Sequence, residues 1–198
     1  MTDIIIKQGA RVLFPEDYER LRAQMPRYYQ ILCDAALHSG MRPVELSRFQ
    51  PSWYRASRHV IELPKDACLK EKCLYKSRTI KLSQAGCDAF DIMVTEKVPY
   101  KGKEIYAYER IPQRVAFRDA LIRYAKLAGI GHEGITWKMF RKTTVSWLVA
   151  SFPEKQAYIQ SSMGHNQDTI VQNYLGVVFT TEQLSRIRNK YLDGWGIS

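Results

Sequence analysis

Residues 53 to 82 do not share the helical periodicity that runs through most of this chain. HVIEL and SRTIKLS carry β-branched residues in alternation, and the lysine-rich segment DACLKEKCLYK separates them. Such a pattern predicts two or three antiparallel strands around a basic turn. One small sheet within an otherwise helical sequence constrains the fold class to mainly α with a small antiparallel β-sheet (α+β).

The helical punctuation on either side is explicit. Residues 1 to 14 read as an extended lead-in. PEDYERLRAQM then places a proline and acids in a first turn, as a helix N-terminus prefers. Pro26 restarts the helix, and PRYYQILCDAALHSG carries an apolar face through Tyr29, Leu32, Cys33, Ala36 and Leu37 before Gly40, a natural C-cap. RPVELSRF predicts a short helix. After the sheet, SQAGCDAFDIMVTEKV returns to helix with Ser83 as N-cap. YKGKEIYAY reads as a loop, residues 111 to 127 as a long helix stopping at Gly129, and WKMFRKTTVSWLVAS as a further helix capped by Thr136. Pro153 opens the next helix, residues 166 to 175 form a short one, and TTEQLSRIRNKYLDGWG closes the chain as an amphipathic helix. There is no internal repeat, and 198 residues suffice for one good core.

Thirty Lys+Arg against 20 Asp+Glu give a net charge of +10 and a pI near 9.5. That is the electrostatic footprint of a polyanion binder, and it favours nucleic acid over membrane. No apolar run approaches the ~20 residues of a membrane span, and no secretory h-region opens the chain, so a cytoplasmic location is expected. The spacing of Cys33, Cys68, Cys73 and Cys87 matches no zinc template, and His38, His59, His132 and His165 do not complete one. The cysteines read as reduced thiols, although the sequence leaves a disulfide between two of them open. Neither a metal nor a cofactor is expected.

Several residues carry candidate chemistry. Arg42 follows the Gly40 cap at the start of a short helix, where free N–H groups and the positive helix end favour an anion. Glu45, three residues on, shares its face and is placed to orient the guanidinium. Lys138 and Arg141 stand at i and i+3 near the start of a helix whose apolar side is Phe140, Val145, Leu148 and Val149. Gly164-His165 precedes Tyr174 by nine positions from the histidine. Taken singly, each has a plainer explanation: a surface arginine, a solvated face, a structural histidine, a core tyrosine.

Their order is more specific. SGMRPVEL, LKEKCLYKSRTIKL, WKMFRK and SSMGHNQDTIVQNY together resemble the tyrosine recombinase and integrase family, and the likeness spans residues 15 to about 180. Three departures stand out. Lys138 occupies the place of a histidine, and Met163 that of the leucine before Gly-His. The hairpin lysine is open among Lys70, Lys72 and Lys76, of which Lys72 lies at the expected turn. The lysine variant is similar to integrases of archaeal plasmids and viruses, a likeness of fold only.

The resemblance implies a site-specific DNA recombinase that cleaves and rejoins strands through a 3′-phosphotyrosyl intermediate. Arg42 and Arg141 would clamp the non-bridging phosphate oxygens. A free phenol has a pKa of about 10, and the same cations would favour the Tyr174 phenolate as nucleophile. Lys72 would protonate the leaving alkoxide, His165 would donate to phosphate or move a proton with Tyr174, and Lys138 would add a phosphate contact. The expected partner is a double-stranded DNA attachment site, with self-association into a tetramer on DNA. The alternatives are type IB topoisomerase-like relaxation and a DNA-binding module without catalysis.

Residues 1–198 are expected to form a single catalytic domain without the N-terminal DNA-clamping domain usual in such integrases. The closing segment 180–198 is expected either to pack on its own core or to dock on a neighbouring protomer.

Overall fold

A computed structural model describes residues 4–67, 77–164 and 177–196. Its architecture is organised around a helix that has almost no exposed face. Helix α6 (Lys138–Ser151) is buried from Met139 to Val149. Its apolar residues surround the whole helix axis, the pattern of a helix enclosed by others. Two of its hydroxyls tie the helix to the chain around it, while those of Ser146 and Ser151 are buried without a hydrogen-bond partner among the described residues. Thr144 donates to the Phe140 carbonyl at 2.8 Å and to the Leu37 carbonyl. Thr143 accepts from the Leu13 amide at 2.9 Å, and the Trp147 indole N–H donates to the Leu13 carbonyl at 3.0 Å.

Those last two bonds tie α6 to the N-terminus. Residues 1 to 14 were expected as a simple lead-in, but the described part forms a hairpin of strands β1 (Ile5–Lys7) and β2 (Ala10–Val12). Ala10, Val12, Leu13 and Phe14 are core residues. Arg11 is buried as well, and its ion pair to Asp17 at 2.7 Å joins the hairpin to helix α1 (Pro15–Ala23).

Helix α2 (Arg27–Ser39) follows Pro26 and ends in a left-handed cap at Gly40, with φ +58°. Helix α3 (Pro43–Leu46) is a single turn. The sheet contains the three strands β3 (Tyr54–Arg55), β4 (Val60–Leu63) and β5 (Arg78–Lys81), antiparallel in that order, with Ile61 opposite Ile80. Ser83 caps helix α4 (Gln84–Thr95) by accepting from the Gly86 amide at 3.1 Å.

Three expectations need correction beyond this point. YKGKEIYAY is not a loop but most of a hairpin, β6 (Lys97–Tyr100) and β7 (Lys103–Tyr106). Its two-residue turn holds Lys101 and Gly102 at φ +49° and +77°, the handedness that suits the strand twist. Helix α5 starts at Arg114 rather than 111 and runs to Leu127. Thr136 does not cap α6 with its side chain, because Trp137 occupies the cap position and the Thr136 hydroxyl is buried without a hydrogen-bond partner.

Helix α7 (Gln156–Met163) leads to Gly164. Helix α8 (Thr181–Arg186) begins with a reciprocal cap between Thr180 and Gln183, then widens into a π turn over Ile187–Tyr191. This closing segment lies on the core of its own chain. Ser83 donates to the Tyr191 carbonyl at 2.7 Å, the Gln84 amide to the Asp193 carbonyl at 2.8 Å, and the Trp195 indole to the Lys81 carbonyl at 3.1 Å. Trp195 stacks on Phe152. Cys33 and Cys87 are buried thiols outside any disulfide. Among the described residues no helix is long and apolar enough to cross a membrane.

Truncating Trp195, which is 2% exposed, therefore opens a cavity in the core. Trp195→Ala is expected to lower unfolding free energy by about 3–5 kcal/mol, measured by urea denaturation. A loss within the range of ordinary surface substitutions would show that the segment is only loosely attached.

Candidate active site

The site begins where α2 ends. Gly40 turns the chain, and Pro43 opens α3, so Arg42 before the proline takes an extended conformation at φ −66° and ψ 150°. One helical turn then brings Glu45 back over it. The Arg42 amide donates to Glu45 Oε2 at 2.7 Å, and its guanidinium Nη1 donates to Oε1 at 2.8 Å.

Glu45 has no exposed surface. A second arginine meets it there: Arg78, at the start of β5, donates through Nη1 to Oε1 at 2.8 Å and through Nη2 to Oε2 at 2.6 Å. Burial by itself would raise the Glu45 carboxyl. The Arg78 hydrogen bonds and charge outweigh it, and with Arg141 and Arg42 they bring the carboxyl down to about 2. A buried, fully ionised carboxylate is thus the anchor for two guanidinium groups.

Helix ends complete the arrangement. Arg141, 8% exposed, donates through Nη1 to the Gly40 carbonyl at 2.7 Å and through Nη2 to the Met163 carbonyl. Arg42 Nη2 reaches the Gly164 carbonyl at 3.2 Å, and Arg78 Nε the Ser162 carbonyl at 3.1 Å. The acceptors are the last carbonyls of α2 and α7, where the helix dipole is negative and cations are favoured. Both cap glycines are required by φ and by space. A Cβ on Gly40 would lie 3.0 Å from Met163 Sδ, and one on Gly164, at φ +63°, would lie 3.1 Å from Arg78 Cδ.

Arg42 and Arg141 border a cleft of about 640 Å³. Its walls are Gln8 from the β1–β2 turn, Arg42 to Val44 and Ser47 around α3, Ile111 to Arg114 at the start of α5, and Trp137, Lys138, Arg141 and Lys142 of α6. Five cations and no carboxylate line it among the described residues. Such a cleft, with apolar walls that keep the local dielectric low, is suited to hold a phosphate-like anion by charge-assisted hydrogen bonds.

The structure therefore brings Arg42, Glu45, Lys138 and Arg141 together. Lys70, Lys72, Lys76, His165 and Tyr174 lie outside the described residues. Two residues that flank those stretches, Arg78 and Gly164, both belong to the clamp. Two other tyrosines come into question as nucleophiles, and neither lines the cleft. Tyr158 packs edge-on against Trp195. Tyr191 donates to Glu19 at 2.8 Å, and burial first, then that hydrogen bond, raise its phenol far above the ordinary value.

The sequence reading missed Arg78, Gln8 and Lys142. A signal for Arg78 existed, since Arg78 and Ile80 occupy alternate positions of RTIK and hence one face of the strand.

No protein-family model matches the sequence, and no curated protein matches it. Solved structures do. The chain is similar to the Tn1549 transposon integrase in complex with transposon right end DNA, at 18% identity and a TM-score of 0.61, over 88% of this chain and 64% of that one. It is similar to the XerA recombinase at 16% identity and a TM-score of 0.61, over 92% and 64%. It is also similar to a lambda integrase dimer bound to a COC′ core site, at 16% identity and a TM-score of 0.63, over 89% and 64%. The chain thus spans less than two thirds of the length of each. What they share is the tyrosine recombinase catalytic-domain fold.

Removing Arg78 leaves Glu45 as a buried charge with part of its compensation gone. Arg78→Ala is expected to cost about 3–5 kcal/mol of stability, read by chemical denaturation, with Arg78→Lys falling between it and wild type. The Glu45 carboxyl lies below its ordinary 4.5 in the folded state, so its contribution is present above pH 4.5 and is lost as pH falls towards 2. An acid denaturation curve for Glu45→Gln should be flatter across that window. Curves that coincide in shape would remove Glu45 as the anchor.

Proposed function

We propose that this chain is the catalytic domain of a site-specific DNA recombinase of the integrase type, acting on a double-stranded DNA attachment site and assembling as a tetramer there. The observation that carries the reading is the convergence of Arg42 and Arg141, about a hundred positions apart, on one cationic cleft behind a single buried carboxylate. The shared fold supports it, as does the DNA in two of the similar structures.

In this reading the scissile phosphate sits in the cleft. Arg42 and Arg141 bind its non-bridging oxygens, where charge accumulates in the transition state. Glu45 and the helix-end carbonyls hold both guanidinium groups before the substrate arrives, so little reorganisation accompanies the reaction. Lys138, at the positive end of α6, adds a further phosphate contact. The Tyr174 oxygen attacks phosphorus after its proton leaves, assisted by His165. The phosphorus–O5′ bond breaks, and the 5′-oxygen takes a proton from Lys72. The product is a 3′-phosphotyrosyl link with a free 5′-hydroxyl, and attack by another 5′-hydroxyl reverses the step and releases Tyr174.

The test is covalent capture. The protein is incubated with nicked duplexes of randomised sequence, protein–DNA adducts are isolated under denaturing conditions, and the attached DNA is sequenced. Wild type is expected to yield adducts enriched in one sequence, and Tyr174→Phe none. Arg42→Ala and Arg141→Ala should each lower the yield by about a hundredfold or more. Adducts that persist in Tyr174→Phe would move the nucleophile elsewhere. Complete absence of adducts from wild type would overturn the catalytic reading.

A further inference from the structure

One wall of the cleft plays no part in the mechanism above. The β1–β2 hairpin ends in a two-residue turn, Gln8 and Gly9, at φ +50° and +69°. Its position is fixed from behind. The Arg11 amide donates to the Gly134 carbonyl at 2.9 Å, and the Leu13 amide to Thr143 of α6 at 2.9 Å. The turn therefore holds Gln8 against α6, and there Lys142 Nζ donates to Gln8 Oε1 at 3.0 Å.

Lys142 is 9% exposed, yet it lines the cleft. The charged groups that act on it among the described residues are Arg141 and Lys138 of its own helix and Lys7 of β1; Arg42 and Arg114 line the same cleft. All are cations. An anion that enters this cleft meets the Lys142 ammonium beside these guanidinium groups and can accept a charge-assisted hydrogen bond from it.

We propose that Lys142, aimed by Gln8, is a phosphate-binding residue of this cleft and makes the N-terminal hairpin part of the DNA contact surface. The proposal rests on the DNA-processing reading of the same cleft. It has a pH signature. Burial first, then Arg141, Lys138 and Lys7, lower the Lys142 ammonium from 10.5 to about 8. Below pH 8 the group is charged in the free protein. As pH rises through 8 it loses its proton, DNA binding then requires proton uptake, and affinity falls. Stability of the free protein moves the opposite way, because the unfolded chain keeps the proton up to 10.5 and the folded repulsion is relieved above 8.

The experiment measures affinity for a labelled random-sequence DNA duplex across salt and pH, with wild type, Lys142→Gln and Lys142→Arg. Glutamine keeps a donor for Gln8 and removes the charge, so a purely structural strut would survive it. Below pH 8, Lys142→Gln is expected to bind about tenfold more weakly than wild type, with its salt-dependence slope reduced by about one. That gap should narrow as pH rises past 8, while Lys142→Arg keeps its affinity throughout. Gln8→Ala, at an exposed position, should show a smaller loss of the same kind. If Lys142→Gln matches wild type in affinity, salt slope and pH profile, the proposal is wrong although the DNA reading stands. If wild type itself fails to bind the duplex, both fall together.

Discussion

Glu45 is an ionised carboxylate with no access to water, and the cleft is built on that fact. A bare carboxylate in this position would be prohibitively unfavourable. It exists because Arg42 closes on it from its own turn and Arg78 from the sheet. Each arginine also binds a carbonyl at or just before the end of α7. One acidic side chain thereby registers a helical turn, a strand and a helix terminus against one another. The guanidinium groups are oriented by the interior of the protein, not by whatever enters the cleft.

Helix α6 applies the same economy of placement. Its middle is core, with Val145, Trp147 and Leu148 enclosed, and its first turns carry Lys138, Arg141 and Lys142 to the cleft. Arg141 bridges the ends of α2 and α7, so the side chain that faces the cleft also welds two helices beside it. Charge and packing are not separable here, because the cation is neutralised by the negative ends of helices that the core itself positions.

Much of this was legible in the sequence where local chemistry decides the outcome. Pro15, Gly40 and Ser83 mark helix ends by backbone and capping preferences that need no tertiary context. Arg42 and Glu45 share a face by spacing alone. The omissions have a common cause in turns. Both missed hairpins place an ordinary residue, Gln8 or Lys101, at positive φ ahead of a glycine, and neither residue type advertises that conformation as asparagine would. Arg78 was missed because its role depends on which face of β5 turns inward and on a partner 33 positions away. Thr136 failed as a cap because the helix start falls one position later, on Trp137.

The bonds of the clamp also set when it can form. Arg42 reaches its carbonyl across 122 positions, Arg141 across 101 and Arg78 across 84. Contacts of such sequence separation close late in folding, after loop entropy has been overcome by the core. During synthesis the first arginine waits until Gly164 has been made and α7 has docked. Arg42 and Arg78 can close on Glu45 earlier, but the cationic cleft acquires its full ordered geometry only once α6 and α7 are both in place.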